Sequence, residues 1–171
     1  MNSKVTSNSE KDSGSPLYAV MVDAKEPNGF DVLLVNPTSD RYTNIRMLNG
    51  GVQTVDAGLI ETNKVFRDMG ELTPLSSFFI SYTDLDELEM SIWFQLDCFR
   101  SSDTAPEQYF FQLPRYLSVL DGIDKSEDAT VDPIVKKKTL SIELRPRMGE
   151  TIESWVSQNN LESKYTKTNR D

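Results

Sequence analysis

One stretch limits the possible folds of this chain more than any other. From Leu88 to Phe99, the apolar residues Leu88, Met90, Ile92, Phe94, Leu96 and Cys98 alternate with Glu89, Ser91, Trp93, Gln95, Asp97 and Phe99. Successive side chains of an extended strand point to opposite sides, so this run predicts a strand with one face against a core. Shorter apolar runs of strand length surround it. Leu17–Val22, Phe30–Val35 and Tyr42–Leu48 are separated by turn residues, and two β-turns joining three strands is the simplest reading.

Further along, Ser76–Tyr82 alternates less strictly, and Thr83-Asp84-Leu85-Asp86-Glu87 reads as an acidic hairpin connection into the main strand. The segment 59–68 fits neither the helical nor the strand period. Gln108–Val119 contains Pro114, which confines a strand there to an edge or breaks it. Leu140, Ile142 and Leu144 form a last alternating strand. After Gly149, Ile152, Trp155 and Val156 recur at helical spacing, with Asn159-Asn160 as the stop. The expected fold is mainly β: an antiparallel sandwich or barrel, jelly-roll-like, with one short C-terminal helix. Residues 1–16 read as a disordered arm, 17–145 as the β domain, 146–160 as the terminal helix and 161–171 as a polar tail.

Composition narrows the function classes. The 171 residues suit one domain with tails. Net charge is −9, and residues 136–171 carry 8 basic and 5 acidic residues, which leaves 10 basic and 22 acidic residues in 1–135. Such a body repels phosphate backbones, so direct nucleic-acid binding is disfavoured. Histidine is absent, which removes the commonest general base and metal ligand. The single cysteine, Cys98, has no disulfide partner within the chain, and no run reads as a signal peptide or a membrane span. A cytoplasmic location without membrane association is the expectation.

Few residues suggest chemistry. Cys98 lies on the apolar face of its strand and reads as core. Asp84, Asp86, Glu87 and Glu89 form one acidic cluster, and Asp121, Asp124, Glu127 and Asp128 form another. Neither has the order of a calcium loop, so both read as solvated loop charge, with Asp84, Asp86, Asp121 and Asp124 the candidate cation ligands. Lys136-Lys137-Lys138 with Arg145 and Arg147 reads as a solvated flank balancing the acidic body. Asn49-Gly50-Gly51 reads as a turn ending the third strand, with a binding loop as the second reading. Trp93 lies on the polar side of its strand and is a candidate binding aromatic; if the helix bearing Trp155 covers that side, both tryptophans are core.

The strand Asp31-Val32-Leu33-Leu34-Val35-Asn36, the segment Gly58-Leu59-Ile60-Glu61, the strand end Phe94-Gln95-Leu96-Asp97-Cys98-Phe99-Arg100 and the close Asp132-Pro133-Ile134-Val135 carry a resemblance. Residues 30–135, about 60% of the chain, resemble the β-rich accessory domain that precedes a small MutS-related (Smr) domain in some bacterial proteins. The resemblance implies a sandwich-like module for interaction or regulation. The Smr domain's Asp-Leu-His signature has no counterpart, because Leu140-Ser141-Ile142-Glu143-Leu144 occupies the corresponding region.

These readings favour a non-enzymatic cytoplasmic interaction or accessory module, without a cofactor, that meets another protein through a sheet edge or the Trp93 face. A homo-oligomer is compatible with this. Two alternatives remain: an acidic decoy that fills a nucleic-acid channel on a target enzyme, and a hydrolase using carboxylate-bound metal.

Overall fold

A computed structural model describes residues 16–24, 28–56, 58–101, 103–115, 119 and 132–160. Two antiparallel sheets lie face to face. In the first, β1 (Tyr18–Asp23) is flanked by β2 (Gly29–Asn36) and β9 (Thr139–Ile142), and β2 also pairs with β6 (Ser76–Asp84). The second is built on β3 (Tyr42–Val55) and β7 (Ser91–Arg100), followed outward by β8 (Glu107–Gln112) and the two-residue β10 (Arg145–Pro146). The other side of β3 is shared: its first half pairs with β5 (Val65–Leu72) and its last four residues with β4 (Gly58–Glu61). The expected sandwich with a short C-terminal helix is therefore present, and the sheets do not close into a barrel.

The core lies between the sheets. Ala19, Met21, Val32, Leu34 and Ile142 from the first sheet meet Ile45, Met47, Phe94, Leu96, Cys98 and Phe111 from the second. Phe94 and Phe111, cross-strand partners on β7 and β8, stack with centroids 4.8 Å apart. Both outer faces also carry apolar cover. On the first sheet, Val20, Val22 and Val35 lie against Ile134 and Val135. On the second, Leu48 and Phe66 lie beneath Ile152 and Val156 of α1 (Ile152–Gln158).

Several expected boundaries move. The long alternating strand begins at Ser91, because Asp86–Glu89 winds into a 3₁₀ turn that still delivers Leu88 to the core. That acidic stretch is no hairpin: β6 and β7 belong to different sheets, and the turn crosses between them. The first three strands are likewise no meander, since β1 and β2 pair while β3 opens the other sheet.

Buried Asn36 explains that crossing. Its amide donates to the carbonyls of Asp40 (2.7 Å) and Thr73 (3.0 Å), and its oxygen accepts from Thr38 N–H and hydroxyl. One side chain thus ties together both connections at this end, satisfying backbone groups that burial would otherwise leave unpaired. Segment 59–68 resolves into parts of two strands, β4 and β5. Pro114 follows β8, consistent with a strand broken there.

Candidate functional site

Paired residues in an antiparallel ladder share a face. On β3 and β7 the pairs Ile45–Cys98, Met47–Leu96 and Asn49–Phe94 face the core, whereas Arg46–Asp97, Leu48–Gln95 and Gly50–Trp93 face α1. The polar half of the alternating strand is therefore covered. Trp93 and Trp155 each pack against the cluster of Leu48, Phe66, Ile152 and Val156, and Trp93 also stacks on Phe110 at 6.3 Å and has Lys64 over its ring at 6.0 Å.

Asn49-Gly50-Gly51 is not a turn but the middle of β3. Glycine is required at 50 because a Cβ there would lie 2.7 Å from Trp93 Cζ2, closer than atoms can pack. Of the candidate binding residues, the structure brings together Trp93, Gly50 and Trp155. Asn49 and Gly51 fall on the opposite side of the strand.

Asp97 and Gln95 are buried because they hold the helix. Asp97 Oδ2 accepts from the Ile152 N–H at 2.6 Å, and Gln95 and Gln108 donate to the Glu150 carbonyl at 3.1 and 3.3 Å. Thr151 Oγ1 accepts from the Ser154 N–H, so the first-turn donors of α1 are met from two directions. Burial pushes the Asp97 carboxyl up, opposed by hydrogen bonds from Gln108, Ile152 and Glu153 and by the Arg46 charge.

The clefts offer less. One of about 480 Å³ is lined by Asn44, Arg46, Phe99, Arg100 and Glu153 among others. Its arginines already face carboxylates, Arg46 with Glu153 at 3.5 Å and Arg100 with Glu107 at 2.8 Å and Asp40 at 3.3 Å, while the Nε of each is buried without a hydrogen-bond partner. Cys98 is wholly buried, and burial pushes its thiol pKa up, which leaves the unreactive protonated form at neutral pH.

Asp84 accepts from the Tyr82 hydroxyl at 2.8 Å, and the 3₁₀ turn carries Asp86. Among the described residues no three acids or cysteines converge on a cation position. Asp121 and Asp124 lie outside the described residues.

The most exposed ordered element is the hairpin of β4 and the end of β3. Every described residue from Gln53 to Lys64 is exposed, including Val55 (44%), Leu59 (63%) and Ile60 (56%). Residues 52, 54, 59 and 61 share one face and 53, 55, 58 and 60 the other, so apolar side chains stand on both. The hairpin leaves the sandwich at Gly51, whose N–H donates to Thr62 Oγ1 at 2.6 Å while its carbonyl accepts from the Thr62 N–H at 2.9 Å.

The other sheet edges carry features that block pairing. β10 contains Pro146 and has only two residues. β5 bulges at Met69-Gly70, with Gly70 at φ 77°, and exposes Arg67 and Asp68; β6 bulges at Ile80; and β9 is four residues long beside Lys137 and Lys138. β4 is as short as β9 and carries Glu61, but it has neither proline nor bulge, and among the described residues nothing pairs with its outer side. Sequence reasoning passed over this hairpin, although Val55-Asp56-Ala57-Gly58-Leu59, a turn sequence between apolar residues, is its signature. No family model matches the chain, and no curated protein matches it significantly.

Proposed function

We propose that this protein is a non-enzymatic interaction module that engages another protein through the hairpin of β3 and β4. The observation carrying this reading is the exposure of Val55, Leu59 and Ile60 on a regular hairpin whose outer strand, unlike β5, β6 and β10, carries neither bulge nor proline. An exposed, regular, apolar edge is costly in isolation because it invites aggregation, and it becomes useful when a partner covers it. The sandwich supplies a rigid base, and Gly51 with Thr62 fixes the point at which the hairpin leaves it. An accessory role of the kind implied by the Smr-linked resemblance fits the same arrangement. The Trp93 face is a weaker route to a partner, since α1 already covers it.

The test is site-specific photocrosslinking in native lysate, with a benzophenone side chain at position 60 and, as control, at exposed Glu143 in the link between β9 and β10. A discrete adduct to one identified polypeptide at 60 but not at 143 is the expected outcome. Equal labelling at the two positions would remove the reading.

A further inference from the structure

Resting on that reading, we infer the chemistry of the partner: the outer edge of β4 takes up an extended, basic segment of another polypeptide as an added strand. The hydrogen-bonding phase of β4 follows from its ladder. The Thr62 N–H bonds to the Gly51 carbonyl, and inward-bonding residues of an antiparallel pair recur every second position. Ile60 and Gly58 therefore bond to β3. Leu59 and Glu61 turn their N–H and C=O groups outward, which presents two donors and two acceptors at strand spacing.

Side chains and charge then define the occupant. Leu59 stands on one face of the hairpin and Ile60 with Val55 on the other, so an added strand gains contact by bringing adjacent apolar residues instead of a strict alternation. Asp56 and Glu61 bracket the strand, and the nearby cation, Lys64, is held over the Trp93 ring. Within a chain of net charge −9, this favours lysine or arginine beside the apolar pair of the partner.

A second copy is the poorer occupant. Two chains of net charge −9 repel each other, whereas a basic segment is attracted to the same edge.

The experiment uses two synthetic peptides, Lys-Lys-Val-Ile-Val-Lys-Lys and its counterpart with glutamate for every lysine, titrated into the full chain and followed by amide NMR. The basic peptide is expected to bind, to slow exchange at the Leu59 and Glu61 amides, and to weaken as salt is raised. Leu59→Pro removes one outward donor without touching the ladder to β3 and is expected to lower affinity roughly tenfold or more. Leu59→Lys, which keeps the N–H, serves to separate backbone from side-chain effects, and unchanged amide spectra elsewhere show that each variant is folded.

Equal binding of the two peptides, no binding of the basic one, or protection of the same amides by self-association would each overturn the inference. A specific crosslink at position 60 alongside an unbound basic peptide would defeat this inference and leave the broader interaction reading standing.

Discussion

Asp97 is a fully buried carboxylate set against the first turn of α1. Its native pKa is raised by burial, so between the ordinary aspartate value and that raised value the folded state holds a proton that the unfolded chain has lost. Stability therefore falls as pH rises through that window, and Asp97→Asn is expected to flatten this part of the curve in urea titrations at stepped pH. Asp97→Ala leaves the Ile152 N–H without its partner, at a cost of about 1–3 kcal/mol. Tyr18 gives a second window at the alkaline end. Burial and its hydrogen bond to Asp132 push the phenol from 10.0 up to about 12, so stability drops between those values as the unfolded chain ionises first. Tyr18→Phe should remove that drop. Gly50→Ala drives a methyl into the Trp93 ring and should cost about 1–3 kcal/mol, read from urea midpoints together with tryptophan emission. These roles were half legible in the sequence. The alternating pattern located Trp93, Gln95 and Asp97 on the polar side, but polarity alone does not separate a solvated face from one whose polar atoms hold a helix.

At the scale of elements, the hairpin and the helix behave oppositely. Leu59→Thr with Ile60→Thr removes only exposed side chains and is expected to change stability by no more than about 0.5 kcal/mol in thermal or urea melts. Ile152→Ala with Val156→Ala empties the cluster over Leu48 and Phe66 and should release α1, seen as loss of near-ultraviolet dichroism from Trp155 and Trp93. A seven-residue helix has no stability of its own in water, so packing and caps alone keep it in place. The position of that helix was readable from Ile152, Trp155 and Val156. The 3₁₀ turn at Asp86–Glu89 was not, because Leu88 keeps the phase of the following strand while its neighbours leave it. Asn49-Gly50-Gly51 misled for a related reason: paired glycines mark turns and also mark places where a strand passes close beneath a large ring.

For the whole molecule, the antiparallel sandwich was legible because short alternating runs need two layers to hide their apolar sides. The assignment of strands to sheets was not, since it depends on crossings such as the one organised by Asn36, and no local pattern encodes those. The acid excess adds a long-range term. A chain carrying −9 repels itself when compact, and raising sodium chloride from low to physiological strength should raise the urea midpoint as that repulsion is screened. A falling midpoint would mean that pairs such as Arg100 with Glu107 outweigh the net field.

β3 runs for 14 residues, passing beneath α1 at Leu48 and Gly50 and ending in the projecting hairpin. A pull or twist delivered at Val55 has one unbroken strand to follow as far as Gly50, five positions back, whose ladder partner on β7 is Trp93. Tryptophan emission is for that reason expected to shift when a ligand grips the far end.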